Sequence, residues 1–380
     1  MRQLRLVFLA GFFYAIHAAL VGYVNSSMLH SYVSPRVTSI AFSFGSALSL
    51  ILVLSIPRVI KRFGTVKIAT TLTLLSATVL YFLGTAHTAY TVLPLFVVYF
   101  SLNTVIFYCI DIFIEHYSSE GKTGNIRGTS MTINNIAWVS IPTIVGIVTA
   151  LHGFSVVYLF AAIAMSLVGI IIAVSQKSFV DKVYETPKLT EAFKTIQSSP
   201  QLRRILSLNF LLQFFYSWMV LYVPIYLMET MGLDWKTMGW MFSIMLLPFV
   251  LLQYPTGKLA DRIGEKRLIL ISLCIAAVAT LGFALITGVS PLFIALLLLG
   301  TRIGISMFEV LCESYFFKQV TDKDVSIIGL YRTMTPFAYI IGPLVGAGVL
   351  FILPYKGLFI ILGLLLLTGA LYARRLIDTR

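Results

Sequence analysis

The sequence predicts an all-α integral membrane protein: twelve transmembrane helices in two pseudo-symmetric six-helix bundles. Three observations carry that prediction. Charged residues make up 11% of the 380 and hydrophobic residues 58%, whereas a soluble domain carries about 25% charge, so this chain cannot clothe a water-facing surface. Twelve stretches are long and apolar enough to cross a bilayer, which takes about 20 residues of helix. The two halves of the chain also repeat at an offset near 200 residues. Alternating ten-residue strands are absent, which excludes a β-barrel.

The twelve spans run approximately over 6–29, 37–57, 66–86, 91–114, 128–151, 154–176, 205–228, 237–256, 268–288, 291–316, 325–352 and 357–373. His17 interrupts the first, and no small-residue cleavage site follows it, so the N-terminal segment reads as a retained helix rather than a signal peptide. Connections such as His87–Tyr90 and His152–Phe154 are too short for anything but antiparallel neighbours. The longest connection, 177–204, carries most of the charge outside the membrane and has one surface helix over Leu189–Ile196. It divides the chain into an N-terminal bundle (1–176), a linker (177–204) and a C-terminal bundle (205–380).

The net charge of +13 would suggest nucleic acid in a soluble protein. In a membrane protein it marks the cytoplasmic loops. With the N-terminus inside, the outside loops hold only Arg36, Lys236 and Lys356 of the 28 Lys and Arg, and Arg302 and Arg332 lie within spans. The expected placement is therefore multi-pass in the inner (plasma) membrane with both termini cytoplasmic. The expected partners are the lipid bilayer and a small-molecule substrate, without nucleic acid, and the expected state is a monomer. Cys109, Cys274 and Cys312 show no metal-ligand or disulfide spacing, and no metal is implied.

The repeat is clearest beside the third helix of each half. Pro57-Arg-Val-Ile-Lys61-Arg62-Phe-Gly64-Thr-Val-Lys67 aligns with Gly257-Lys-Leu-Ala-Asp261-Arg262-Ile-Gly264-Glu-Lys-Arg267, and Pro142–Gly146 stands against Pro343–Gly346. Repeated six-span halves point to a secondary transporter with its site at the repeat interface. The stretch GKLADRIGEKR resembles the loop motif of the major facilitator superfamily, and Ile341–Ala347 looks like that family's eleventh span. The resemblance covers the whole chain and implies the family's twelve-helix fold. It also implies a gating role for Gly257, Asp261, Arg262, Gly264, Lys266 and Arg267, with Asp261 expected near the start of span nine. Arg127 is the candidate partner of Asp261, and Glu313 the third member. The first half departs from the pattern. Lys61 stands where the motif has Asp, so Arg332 needs another partner, for which Asp111 is the candidate. Ser140 replaces the leading Gly of the span-five pattern of family antiporters.

Charge inside a span is costly and needs an explanation. On span ten, Arg302, Glu309 and Glu313 are spaced seven and four apart and so share one helical face. Arg302 is the candidate substrate or counter-charge group. Glu309, Asp111 and His17 are the candidate proton-coupling groups, His because its ordinary pKa lies near neutrality. Span four carries a stripe through Thr104, Tyr108 and Asp111. Tyr14, His17 and Asn25 on span one, Asn134 and Trp138 on span five, and Asn209, Gln213 and Tyr216 on span seven complete the candidate cavity lining. By the resemblance, spans one, four, seven and ten surround that cavity. No HExxH, GxSxG or Walker A pattern is present, so neither an enzyme nor an ATP-driven pump is read here. The expected function is secondary transport of a small organic solute by alternating access, without a cofactor and driven by the proton gradient. Export by proton antiport is favoured, with proton-coupled uptake or uniport as the alternative and a non-transporting receptor as a third class.

Overall fold

The computed structural model describes residues 2–117, 123–181, 189–286, 288–320 and 325–378. Every regular element among them is a helix, and twelve are long and apolar enough to span a membrane: Arg2–His30, Pro35–Phe63, Thr65–Thr85, Ala89–His116, Thr129–His152, Phe154–Ser175, Pro200–Glu229, Trp235–Ile263, Glu265–Leu285, Pro291–Gln319, Ile327–Ile352 and Tyr355–Ala373. They are spans one to twelve below. The predicted fold class is the observed one, and each span overlaps its expected limits. The linker helix runs from Leu189 to Ser198.

Local chemistry explains where several spans begin. Spans two, seven and ten each open on Ser-Pro. The Ser34, Ser199 and Ser290 hydroxyls accept from the backbone N–H three residues on, and Pro fills the first helical position, where no N–H is required. Spans two and three, and again spans eight and nine, are separated by a single residue, Gly64 (φ +82°) or Gly264 (φ +85°). That backbone conformation is cheap only for glycine, which is why the repeat keeps Gly at both places.

Two spans are broken. Span one turns at Gly22–Tyr23, where the Trp138 ring presses so close that a Cβ on Gly22 would stand 2.8 Å from it. Span eight turns at Leu252, between Trp235–Leu251 and Gln253–Ile263. The long apolar side chains left exposed along the spans, such as Phe44, Ile51, Val278 and Leu364, are the surface a bilayer covers.

The chain forms two compact units, Met1–Thr186 with Gly232–Ser243, and Pro187–Met231 with Ile244–Arg380. In the first unit, span one packs on spans five and six, span three on span six, and span two on span four. The segment Gly232–Ser243 joins this unit through span five. A Cβ on Gly146 would stand 2.7 Å from the Gly239 Cα, and Thr143 Oγ1 donates to Ser243 Oγ at 2.7 Å. In the second unit, span nine packs on spans ten and twelve, and span seven on span eleven. Span seven is held there by Trp218 Nε1 and Tyr222 Oη, which donate to the Gly342 and Pro343 carbonyls at 2.6 and 3.1 Å.

Candidate functional site

The turn between spans eight and nine carries most of the gating candidates. Gly257 and Asp261 lie on the helix Gln253–Ile263, Asp261 in its last turn. Asp261 pairs with Lys318 at 3.4 Å and stays largely exposed. The acid that opens span nine is Glu265. It is fully buried, accepts from Lys318 Nζ at 2.6 Å and from Ser314 Oγ at 2.9 Å, and sits where a helix dipole favours negative charge. Arg262 and Arg267 are exposed and Lys266 is half-buried. Glu313 is half-buried on span ten, Arg332 exposed on span eleven, and Asp111 half-buried on span four. The side chain of Arg127 lies outside the described residues.

Span ten places Arg302 and Glu309 in one strip of the second unit. Arg302 is 1% exposed. Its guanidinium carbon lies 5.2 Å from the Phe215 ring centroid and 5.7 Å from that of Tyr216, so two ring faces meet the cation. Its Nε and Nη1 have no hydrogen-bond partner among the described residues. Farther along, Glu309 accepts from Gln253 Nε2 at 2.9 Å, and its other charged and polar surroundings are Glu313, Tyr216 and Arg302. The structure therefore brings Arg302, Glu309 and Tyr216 together and adds Phe215 and Gln253, which the sequence reading did not single out. Gln213 is half-buried on span seven, and Asn209 donates from its amide to the Tyr331 carbonyl at 3.2 Å.

In the first unit the candidates fall into separate groups. His17 is fully buried, with Nε2 at 2.8 Å from Tyr99 Oη and Nδ1 at 3.3 Å from the Tyr14 carbonyl. Tyr14 donates to the Asn103 carbonyl at 3.1 Å. Asn25 accepts from Tyr158 Oη at 2.7 Å, and Thr104 accepts from Ser49 Oγ at 2.7 Å. Tyr108 is half-buried on span four. On span five, Trp138 closes on Gly22, and Asn134 Oδ1 is buried with no hydrogen-bond partner among the described residues.

A sequence profile of the Major Facilitator Superfamily matches residues 7–323 and, in a second match, residues 205–380. The chain belongs to the major facilitator superfamily. A curated relative, the uncharacterized MFS-type transporter Rv1250 of Mycobacterium tuberculosis, is 27% identical over 135 residues. That match covers 36% of this chain and 23% of the relative, so the chain spans about a quarter of that protein's length. Among solved structures, the fold is shared with the nucleoside transporter NupG (TM-score 0.74, 12% identity, 97% of this chain and 99% of that one). It is shared with an auto-inhibited POT family peptide transporter (0.79, 12%, 100% and 98%) and with a bacterial homologue of the iron transporter ferroportin in an inward-facing state (0.73, 15%, 98% and 97%).

This member of the major facilitator superfamily carries a repeated polar device that the sequence reading missed. In the first unit, Tyr117 Oη lies within hydrogen-bond distance of Gln3 Oε1 (3.2 Å) and Gln176 Oε1 (2.8 Å). In the second, Tyr315 Oη lies within hydrogen-bond distance of Gln201 Oε1 (3.0 Å) and the Ile377 carbonyl (2.9 Å). Each Tyr–Gln pair is 114 residues apart in sequence. An acid after the last helix of each half then meets the turn glycine. Asp181 accepts from Thr65 N at 3.0 Å and from Thr65 Oγ1, and the Asp378 carboxylate lies where a Cβ on Gly264 would be.

The matched tyrosines set the register between spans four and ten of this superfamily member at 198 residues. The bonded register puts Asp111 opposite Glu309, Glu115 opposite Glu313 and Thr104 opposite Arg302. The signal in the sequence was the equal spacing of Gln3–Tyr117 and Gln201–Tyr315. It is hidden because polar residues at helix ends read as ordinary solvated ends.

Proposed function

We propose that the chain is a secondary transporter that exports a small organic solute by alternating access in exchange for protons. It would work as a monomer in the inner (plasma) membrane, with both termini in the cytoplasm. The observation that carries the reading is the strip on span ten. Arg302 and Glu309 lie on one face of span ten, and each is held by polar or aromatic groups of the same unit. Ionisable groups in a span mark substrate or proton pathways. Membership of a superfamily whose relatives here are named transporters supports the same conclusion. The distribution of Lys and Arg supports the orientation.

In this reading Arg302 meets the solute and Glu309 carries the proton. Binding of one changes the charge that the other sees along the shared face, and that is the physical basis of coupling. The test is proton movement in proteoliposomes loaded with a pH-sensitive dye, while a panel of solutes is added. A solute-dependent signal that disappears in Glu309→Gln is the expected result, and its sign separates export from uptake. Proton movement preserved in Glu309→Gln would move the role to Asp111, Glu313 or His17. Specific binding with no counterflow of any solute would replace transport by a receptor function.

A further inference from the structure

The guanidinium of Arg302 is sealed inside the second unit with the three N–H donors of Nε and Nη1 unused. Arginine carries five N–H donors and keeps its charge in any protein environment. Burying such a group inside a span without satisfying it is costly. A structural role would bring a carboxylate to it. The acid on its own face, Glu309, is seven residues away, about 10 Å along the helix axis, and one of its oxygens is taken by Gln253. What surrounds Arg302 instead is aromatic, with Phe215 and Tyr216 at 5.2 and 5.7 Å. Ring faces moderate a cation but accept none of its in-plane N–H bonds.

We propose that Arg302 anchors a binding site for an organic solute that carries a carboxylate on an apolar body. An anion satisfies the unused donors and the charge together, and a carboxylate does so through strong charge-assisted bonds. A neutral acceptor would satisfy the donors and leave the charge. The Phe215 and Tyr216 rings flanking the guanidinium select an apolar or aromatic body beside the carboxylate. The proposal rests on the transporter reading above, for which it names the class of solute.

The experiment reads binding at equilibrium, separately from flux. The thermal unfolding midpoint of the detergent-purified chain is measured with benzoate, phenylacetate and 3-phenylpropionate, each against its uncharged amide at equal concentration. At least one carboxylate is expected to raise the midpoint by several degrees where its amide does not. Arg302→Met should lose that shift, and Arg302→Lys, which keeps the charge and loses the planar fork, should weaken binding at least tenfold. Without solute, Arg302→Met should unfold at or above the wild-type midpoint, because an unsatisfied buried charge has been removed.

Three results in the binding assay would overturn the proposal. One is a panel in which no carboxylate outdoes its amide, and another is a carboxylate shift that survives Arg302→Met. The third is a loss of stability in Arg302→Met that Glu309→Gln restores, which would make Arg302 a structural counter-charge. Carboxylate binding without counterflow would keep the site and end the transport reading. Counterflow of an uncharged solute, indifferent to Arg302→Met, would do the reverse.

Discussion

The fully buried Glu265 carboxylate meets the Lys318 ammonium at 2.6 Å, the Ser314 hydroxyl at 2.9 Å and the N-terminal dipole of span nine. Removing Lys318 takes the cation away from a buried carboxylate. Lys318→Met is therefore expected to cost about 2 kcal/mol. The loss is smaller than for a sealed ion pair because the Lys318 side chain is 40% exposed and water screens it. Adding Glu265→Gln should recover most of that loss, since the amide still accepts from Ser314 and needs no counter-charge. Denaturant unfolding of the purified protein checks both, and equal loss in the single and double variants would show that Lys318 acts through packing. Asp261, whose side chain is 70% exposed, predicts the opposite pattern. Asp261→Asn should leave the unfolding midpoint unchanged and slow transport, and unaltered transport would remove its gating role. The loop motif made Asp261 conspicuous in the sequence. It did not show that the buried acid is four residues on, because burial at a helix start depends on which side chain a neighbouring helix presents, here Lys318 from span ten.

The packing of span five on the first turns of span eight depends on having no side chain at two places. A Cβ on Gly239 would stand 2.7 Å from the Pro142 carbonyl oxygen and 2.8 Å from the Gly146 Cα, and backbone cannot yield as a side-chain tip can. Gly239→Ala is expected to force the helices apart and cost about 1–3 kcal/mol, read as a lower unfolding midpoint. The neighbouring hydroxyls give an independent reading of the same contact. Cysteines placed at Thr143 and Ser243, in a Cys274→Ser background, should cross-link readily, and Gly239→Ala should reduce the yield. The start of span eight is also capped: the Asp234 carboxylate accepts from Thr237 N at 2.9 Å. Its bonds to Thr237 hold its pKa below the usual carboxylate range, so its contribution is present above about pH 4 and fades as the pH falls through the lowered value. The twelve spans were legible because a helix in lipid must be long and apolar along its own sequence. The breaks in spans one and eight were not, because the kink at Gly22 needs the Trp138 ring that presses on it.

Both halves bring an acid from outside the third helix to its first turn. In the first, the Asp181 carboxylate comes from beyond span six to cap Thr65. In the second, Asp378 comes from beyond span twelve to Gly264, beside the buried Glu265. The first half has Thr65 where the second has Glu265 and Lys61 where the second has Asp261, so Asp181 supplies negative charge that its own turn lacks. The sequence showed the turn glycines at an offset of 200, but the acids lie more than 110 residues from those turns, and only the folded halves bring them together. A device built twice, with no residue in common, predicts additivity. Asp181→Asn should cost about 1 kcal/mol, the size of a lost helix cap, and Asp378→Asn less, since Asp378 adds a second acid beside Glu265. The double variant should equal the sum within about 0.5 kcal/mol. Denaturant midpoints of the wild type, both single variants and the double variant decide it. A double variant that falls well short of the sum would mean that the two acids report one shared transition, and that each half does not hold its third helix independently.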